Sequence, residues 1–470
     1  MQSIYLLLIY LISRIPFLSN GYGLDADAWR TIDYGFTYLE SGEYNARGYP
    51  GYPLYEYLIY QLSDKGPFIT NSISAISGYF CIIIFKMILE SHLKFSKALS
   101  FNLSLIFCFT PALWISSTMT MDYLLAQFLF LFSWYLIKNS KYFNYSAMLL
   151  GFAISARPNY IIFLLPKVLG LYFIKKSDSS NFSEILKVIF LYIFISISTS
   201  LLIFIPVIIK YGIVDGPGWL FSNFLILSIG FHSIQLFGVI GTCLMAGPLI
   251  IILYKMKFDI GIAKNLMKDP GSLISLSGII VNMLLFIAYP DEIFYLIPFI
   301  SFFLYLFARI ISIYNKPFGK ILASITIVLF LNNFIDLKFW KKNDYGKTVF
   351  TKPHLGYGVF FNDFKRRESI GKQNEYIFSN DFKTPCIILT GGWQGSIIAV
   401  YEKRFQKSND CDCKILASLD EHNLEEKVNQ NINVYFTSGA ESFVNLVHNY
   451  SLGKYLSKSN LITTMMQVKK

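Results

Sequence analysis

The chain has 470 residues, of which 54% are hydrophobic and 15% are charged, so it has more apolar surface than a soluble core of this length requires. Its formal net charge of +11 would suit a nucleic-acid-binding protein, but the Lys and Arg residues lie in short segments between hydrophobic runs and not on one basic face. We therefore predict that nucleic acid is not a partner and that a lipid bilayer surrounds most of the chain.

Hydrophobic runs of about 17–25 residues, the length that crosses a bilayer as a helix, recur from the N-terminus to Trp340. The first is predicted to be a retained helix, because it lacks the basic start and the small-residue cleavage site of a signal peptide. The fifth and sixth are short and can form a broken pair around Pro158. About eleven spans are predicted, at residues 2–17, 67–89, 98–116, 120–137, 144–156, 159–174, 188–209, 233–254, 272–289, 293–313 and 320–336.

The distribution of Lys and Arg between the loops predicts the orientation. With the N-terminus inside, the internal loops contain fourteen Lys and Arg residues and the opposite short loops contain five, which agrees with the positive-inside rule. An odd number of spans then places residues 337–470 on the extracytoplasmic face. The abundance of Ile, Lys, Asn and Phe fits an AT-rich microbial genome and favours a prokaryotic cytoplasmic membrane.

Residues 18–66 form the longest loop among the spans, and loops of this length usually carry function. Within this first extracytoplasmic loop, LDADAWRTIDYGFTYLESG predicts a helix with Asp25 as its N-cap and Gly42 just beyond its end. We expect this helix to lie flat on the bilayer surface, and a similar interfacial helix at 219–235. The apolar stripe of the loop helix contains Trp29, Ile32, Phe36 and Leu39.

Beyond the membrane region, residues 337–470 are predicted to form a small extracytoplasmic α/β domain. CIILTGGWQGSIIAVYE and NINVYFTSGAESFVNLVHNY each combine a short β-type run, a turn of small residues and a helical pattern. The glycines of the first turn resemble a phosphate-binding loop only loosely, so a tight strand-to-helix turn is favoured. Cys386 can pair with Cys411 or Cys413 if the domain faces an oxidising compartment.

The strongest local signal for a site is Asp25-Ala-Asp27, at the start of the loop helix. One interpretation is purely structural, with Asp25 capping the helix and Asp27 pairing with Arg30 one turn later. The other is functional, because the predicted topology brings further charged residues to the same face, where together they can surround a cavity. These further residues are Asp122 at the outer end of the fourth span, Arg157 between the fifth and sixth, and Glu292 before the tenth.

Such a set suits glycosyl transfer from a lipid phosphate. That reaction needs a carboxylate to accept the proton of the incoming hydroxyl, and cationic or metal stabilisation of the departing phosphate. Asp25 is the candidate base, because a helix N-terminus favours its ionised form. Asp27 and Asp122 are candidates to orient the acceptor or to hold a divalent ion by oxygen ligation, and the Asp25–Asp27 pair is a candidate ligand set for an ion such as Mg or Mn. Candidate substrate-binding residues are Arg30, Asp122, Arg157, Lys210 and Glu292, with Arg157 equally compatible with a plain interfacial anchor.

These residues occur in an order that resembles the C-type glycosyltransferase superfamily, GT-C. The resemblance rests on the acidic pair after the first span, PGYP, TMTMDYLLAQFLFLF, GFAISARPNYIIFLLP and DEIFYLIPFIS. It covers most of residues 1–335 and is closest in the first 170, in the manner of aminoarabinose transferases and protein O-mannosyltransferases. It implies a multispan enzyme that uses a polyprenyl-phosphate-linked sugar, with Asp25 or Asp27 as the catalytic residue. Members commonly have Asp-Glu at this position, so the Asp-Ala-Asp sequence leaves open which carboxylate is the base and whether a metal is needed.

Three other functions remain as alternatives. A lipid or glycan transporter or flippase would also need many spans, but the predicted spans contain no Asp or Glu away from their ends, whereas ion-coupled carriers usually have one near the midplane. A polysaccharide polymerase or ligase would be expected to have its functional residues in a large late loop. A structural or receptor protein would not need eleven spans. The sequence contains no zinc-ligand spacing, GxSxG motif or P-loop to indicate a hydrolase or a nucleotide-dependent enzyme.

Overall fold

A computed structural model of the chain shows a mostly helical molecule with little sheet. Glu292 and nearly all of the predicted interfacial helix at 219–235 lie outside the residues that the structure describes. The described residues are 2–48, 50–177, 181–212, 234–255, 266, 268–289, 293–314, 319–342, 348–379, 385–389, 395–405, 413–416, 430 and 432–436.

The α-helices occupy almost the whole of the first 332 residues, and two more follow. They are α1 (Gln2–Arg14), α2 (Ala26–Ser41), α3 (Pro53–Tyr60), α4 (Pro67–His92), α5 (Lys97–Phe109), α6 (Pro111–Ser116), α7 (Tyr123–Leu136), α8 (Phe143–Ala156), α9 (Leu164–Ser177), α10 (Phe182–Tyr211), α11 (Gly238–Lys255), α12 (Pro270–Ala288), α13 (Ile297–Tyr314), α14 (Gly319–Asn332), α15 (Val359–Ser379) and α16 (Gly395–Phe405). Short 3₁₀ turns precede α9 and α13, at Pro158–Phe163 and Ile293–Leu296.

Each of the eleven predicted spans contains a helix, and four helical segments among the described residues are long and apolar enough to cross a membrane. These four are α4, α10, α12 and the segment Ile293–Ile313 that includes most of α13. Helix α10 exposes large apolar side chains such as Leu202 and Ile209, as expected for a helix whose solvent is lipid. That the shorter apolar helices also cross the membrane stays a prediction.

Helices end before two prolines, Pro111 and Pro158, and the second of these breaks positions Arg157. The span predicted at 98–116 is divided at Thr110, which is extended and precedes Pro111. The break expected at Pro158 is present, with α8 ending at Ala156 and the chain resuming as a 3₁₀ turn. Arg157 between them has an extended backbone (φ −153°, ψ 106°), because the residue before a proline is disfavoured in the helical region.

The first loop folds as its sequence predicts. Asp25 is the N-cap of α2, and Gly42 is its C-cap in the left-handed conformation (φ 73°), which a side chain would disfavour. Of the predicted apolar stripe, Trp29 and Ile32 are buried, whereas Leu39 is exposed. The stripe therefore packs mainly into the protein core at its N-terminal end.

The C-terminal region combines one antiparallel hairpin with a small parallel sheet. The hairpin, β1 (Ile335–Lys342) with β2 (Thr348–Tyr357), and the helix α15 that follows it were not predicted, and β1 contains the last residues assigned to the final span. The sheet has the order β4-β3-β5, with β3 (Cys386–Leu389) flanked by β4 (Cys413–Leu416) and β5 (Asn433–Phe436). The strand and the helix of the first predicted unit are present as β3 and α16, and the strand of the second as β5, while the turn at 390–394 lies outside the described residues.

The C-terminal region also touches the first loop and forms the expected disulfide. Helix α15 packs on α6, and α16 packs on α2. Cys386 is disulfide-bonded. Since Cys81, Cys108 and Cys243 are free, its partner is Cys411 or Cys413, as the sequence suggested.

Candidate functional site

The acidic pair of the first loop has both structural contacts that its spacing suggested. The Asp25 Oδ1 accepts a hydrogen bond from the backbone N–H of Asp27 at 2.8 Å, which caps α2. The Asp27 Oδ1 lies 2.9 Å from the Nη1 of Arg30, one turn along the helix. The Asp27 side chain nevertheless remains one-third exposed, at 33%. Asp27 therefore combines a cationic neighbour with access to solvent.

Next to this pair lies a buried cluster of two arginines and one aspartate. Asp122, just before α7, is fully buried and forms ion pairs with Arg47 and Arg157, and the Arg157 Nη1 lies 2.7 Å from its Oδ2. Arg47 comes from the first loop and Arg157 from the break before Pro158, so three separate segments converge here. Two guanidinium groups face one carboxylate in the Arg47–Asp122–Arg157 cluster, and the carboxyls of Asp27 and Glu56 also act on Arg47.

Glu56 fixes the loop that delivers Arg47. Its carboxylate is fully buried and accepts hydrogen bonds from the backbone N–H groups of Arg47 and Tyr52, at 2.9 and 3.0 Å, and from the Tyr44 hydroxyl. Burial raises the pKa of the Glu56 carboxyl, while the nearby Arg47 charge acts in the opposite direction. The Arg30 Nη1 additionally donates to the Arg47 carbonyl at 3.1 Å, which links the loop to the acidic pair.

Aromatic rings enclose the two guanidinium groups. The Arg47 guanidinium lies 4.1 Å from the ring centroid of Tyr52. That of Arg157 lies 3.9 Å from the ring of Tyr123 and 5.0 Å from the ring of Tyr295. Ring faces attract a cation without using its N–H groups in hydrogen bonds, so donors remain for other partners. Within the described part of the chain, the Arg47 Nε is buried with no hydrogen-bond partner.

A narrow cleft reaches the cluster from the side of α12. Its volume is about 10 Å³, and its lining includes Arg157, Asn159, Asn282 and Tyr295. The Asn282 amide oxygen is buried and, among the described residues, has no hydrogen-bond partner. A space of this size holds about one water molecule. Binding of a larger group beside Arg157 therefore requires the cleft to widen.

The remaining sequence candidates have other positions or other roles than those predicted. The Lys210 Nζ, at the end of α10, lies 2.6 Å from a Glu43 carboxylate oxygen and 3.0 Å from the Asn45 side chain, so it anchors α10 to the first loop. Glu292 lies outside the described residues. Asp122 is fully buried between its two arginines, so it holds them in place and is not accessible to an acceptor or a metal ion.

Sequence reasoning identified Asp122 and Arg157 but missed two residues that complete the cluster. Arg47 was treated only as one of five outer-loop charges, and Glu56 only as part of an amphipathic segment. The small number of cations predicted in the outer loops could have indicated Arg47. Each of these five cations forms an ion pair with a carboxylate in the structure. The pairs are Arg30–Asp27, Arg47–Asp122, Lys65–Asp64, Arg157–Asp122 and Lys210–Glu43.

The described residues were also tested for a fit to a divalent ion. One oxygen of Asp25 caps α2 and one oxygen of Asp27 faces Arg30, and the Asp25–Asp27 ligand set for a divalent ion stays a prediction. Among the described residues, no group of three or more His, Cys, Asp or Glu side chains is arranged to hold a metal ion. The positive charge available at this site is that of the arginines.

Comparison with known proteins identifies no relatives: no family model matches the chain, and no curated protein is significantly similar to it in sequence. The chemistry therefore has to be inferred from the geometry, in which Asp27 and the Arg47–Asp122–Arg157 cluster are the central groups.

Proposed function

We propose that this chain is an integral membrane glycosyltransferase of the GT-C type, which transfers one sugar from a polyprenyl-phosphate-linked donor to an extracytoplasmic acceptor. The observation that carries the proposal is the buried Arg47–Asp122–Arg157 cluster, whose Arg157 lines a cleft, beside the partly exposed carboxylate of Asp27. Guanidinium groups bind the oxygens of an anionic group such as a phosphate in bidentate geometry. An adjacent carboxylate supplies the base that glycosyl transfer needs.

The geometry favours Asp27 over Asp25 as the base. The Asp25 Oδ1 is used in capping α2, whereas Asp27 lies on the first turn of α2 with a third of its side chain exposed. Asp27 lies 2.9 Å from the Arg30 guanidinium, which holds its carboxylate at the start of the helix. Asp25 then has a positioning role, because its cap fixes the first turn on which Asp27 lies.

The reaction can be written with the groups that are present. The Asp27 carboxylate accepts the proton of an acceptor hydroxyl as that oxygen attacks the anomeric carbon of the donor sugar. The bond between the anomeric carbon and the phosphate oxygen breaks, and the phosphate departs with the bonding electron pair. Arg157, which lines the cleft, stabilises the negative charge that develops on the leaving phosphate, and the fully buried Arg47 acts through Asp122, which it holds in place.

The surroundings of the two arginines strengthen this stabilisation. Asp122 holds both guanidinium groups in fixed positions, so little reorganisation is needed when the phosphate charge develops. The rings of Tyr52 and Tyr123 exclude water from the cations and keep the local dielectric low. Planar guanidinium groups also match the geometry of phosphate oxygens.

We further propose that about eleven spans cross a prokaryotic cytoplasmic membrane and that the site lies on its extracytoplasmic face. The positive-inside distribution of Lys and Arg supports this orientation. So does the Cys386 disulfide, because disulfides persist in oxidising compartments. In this arrangement, residues 337–470 form an extracytoplasmic α/β domain above the first loop.

The test is a transfer assay in membranes that express the wild type or single variants, with a panel of labelled polyprenyl-phosphate sugars. Asp27→Asn keeps the size of the side chain and removes the base, so we expect transfer to fall by about 10²–10⁴-fold. Asp25→Asn retains an N-cap oxygen and is expected to lose far less. Glu40→Gln is the matched control, because Glu40 is an exposed carboxylate on the same helix. A parallel series with a chelator tests for a divalent ion.

The outcomes separate the proposal from its alternatives. If Asp27→Asn inserts normally but retains wild-type transfer, the assignment of the base is wrong. If the wild type transfers no sugar but moves labelled lipid between leaflets, the protein is a transporter. If it joins preassembled chains and not single sugars, it is a polymerase or ligase.

A further inference from the structure

A second, larger cavity lies between the first loop and the C-terminal helices. Its volume is about 490 Å³, within the range of sites that bind small molecules. One wall is the segment 19–22 together with Trp29 of α2, a second is the start of α4, and the others are faces of α15 and α16. Trp29 follows Asp27 by two residues, so the cavity lies beside the turn of α2 that carries the proposed base, although the two side chains project from different faces of the helix.

Specific contacts hold these walls together. The rings of Trp29 and Tyr401 stack at 5.9 Å, and the Lys403 Nζ lies 2.7 Å from an Asp33 carboxylate oxygen, which fixes α16 on α2. Helix α15 is fixed by Arg367, whose Nη1 donates to the Thr118 carbonyl at 2.6 Å. The cavity is therefore a built feature between anchored elements and not a gap between loosely associated parts.

The charged groups of the lining divide into paired and unpaired ones. Lys372 pairs with Glu368 on its own helix, and Lys65 pairs with Asp64. Within the described part of the chain, Arg404 has no ion-pair partner. Its Nη2 lies only 3.4 Å from the point where a Cβ on Gly66 would be, so the glycine leaves room for the guanidinium at the cavity wall.

The lining also offers groups that bind sugar hydroxyls. Tyr401 lines the cavity and its ring stacks on Trp29 and, at 6.0 Å, on Phe378. Glu375 adds an exposed carboxylate on α15. Carboxylate and hydroxyl oxygens accept and donate hydrogen bonds in the directions that a polyhydroxylated ligand requires.

We propose that this cavity binds the acceptor of the reaction, and that the acceptor is a saccharide with an acidic substituent. Arg404 binds the carboxylate or phosphate of the saccharide, while Glu375 binds its hydroxyl groups. The role as acceptor site rests on the proposed glycosyltransferase function. The binding of an acidic saccharide does not, and it is measured separately.

The experiment uses the full-length chain in uncharged nanodiscs and isothermal titration with three probes: cellobiose, cellobiose carrying a uronic acid, and cellobiose 6-phosphate. We expect the wild type to bind at least one acidic probe about tenfold more tightly than cellobiose, as the gain of one charge-assisted contact predicts. Whichever acidic probe is preferred identifies the substituent. Arg404→Gln should abolish the preference, and Arg404→Lys should restore part of it.

Lys365→Gln is the matched control. Lys365 is on α15 and pairs with Glu368 at 2.8 Å, as Lys372 does, but it does not line the cavity, so its removal should leave all three affinities unchanged. Arg404 is exposed, so Arg404→Gln is expected to fold, and its thermal unfolding is measured alongside. Equal affinity for acidic and neutral probes, no binding of any probe, or an undiminished preference in Arg404→Gln would overturn the inference.

Donor consumption, measured on the same samples, separates this inference from the proposed function. If the wild type consumes a polyprenyl-phosphate sugar but binds none of the probes, the cavity proposal fails and the glycosyltransferase proposal stands. If the acidic probes bind through Arg404 but no donor is ever consumed, the binding site stands and its assignment to an acceptor fails.

Discussion

Replacing Asp122 by Asn is expected to be the most damaging single change at the proposed site. The wild-type cluster has two buried guanidinium groups and one buried carboxylate between them. Asp122→Asn leaves both guanidinium groups without that carboxylate, whereas Arg157→Gln leaves the Arg47–Asp122 ion pair intact. The double variant leaves Arg47 alone. Loss of ion pairs thus predicts that Asp122→Asn costs more than Arg157→Gln, which packing alone would not.

The expected magnitudes follow from the burial of the three side chains. Removing one partner of a buried ion pair typically costs about 3–5 kcal/mol, because an uncompensated charge stays in a low-dielectric site. Asp122 compensates both guanidinium groups, so we expect Asp122→Asn to reach the upper part of that range. Arg157→Gln leaves Asp122 paired with Arg47 and should cost about 1–3 kcal/mol. The loss in free energy of unfolding of the double variant should be about 1–3 kcal/mol smaller than the sum of the losses of the two single variants.

The assay is denaturant unfolding of the purified chain in detergent, followed by intrinsic fluorescence, with sugar transfer measured on the same samples. Arg157→Gln should remain folded while losing transfer by about 10²–10³-fold, the loss expected when one donor to a developing anion is removed. The reasoning would be refuted by an Asp122→Asn variant within about 1 kcal/mol of the wild type, or by strictly additive effects in the double variant.

Three further changes test other parts of the structure. Glu56→Gln should destabilise the protein by about 2–3 kcal/mol in the same unfolding assay and also lower transfer, because the amide can accept fewer of the three hydrogen bonds that fix the first loop. Gly358→Ala should lower the free energy of unfolding by about 3 kcal/mol or more, because the added Cβ would lie 2.2–2.4 Å from backbone atoms. Gly319→Ala is its control: the added Cβ meets nothing within 4 Å, so the free energy of unfolding should change by about 0.5 kcal/mol at most. Lys403→Gln removes the 2.7 Å ion pair with Asp33 and should raise the rate of limited proteolysis in the C-terminal region about fivefold, equivalent to about 1 kcal/mol; an unchanged rate would show that the ion pair does not hold α16 on α2.

The parts of the fold that were predicted from sequence depend on local rules. Helices were expected at all eleven hydrophobic runs, because an apolar run in lipid must satisfy its own backbone hydrogen bonds. The ends of α2 were predicted at Asp25 and Gly42, because capping depends on the residue type at a single position. The break at Pro158 follows equally from the chemistry of one residue.

The parts that were not predicted depend on contacts between distant residues. The hairpin of β1 and β2 pairs Ile335 with Tyr357, and its strands include Lys-rich and aromatic residues without a clear alternation, so no period of two was visible. The Arg47–Asp122 pair joins residues 75 positions apart, and no local pattern in either segment indicates the other. The large cavity likewise requires residues from four separate segments to meet.

The positions of Lys and Arg along the chain indicate possible sites as well as the membrane orientation. A positive charge in an inner loop is explained by the insertion rule alone, but a cation in an outer loop is retained against that tendency and so needs another reason. Arg47 and Arg157, which the positive-inside count predicts to lie in outer loops, both bind one buried carboxylate, Asp122, and lie against tyrosine rings. Arginine in an outer loop of a polytopic protein is therefore a sharper indicator of a site than its frequency suggests. The stability order of the Asp122 and Arg157 variants tests that reasoning directly, because a merely topogenic arginine would show no energetic coupling to a distant aspartate.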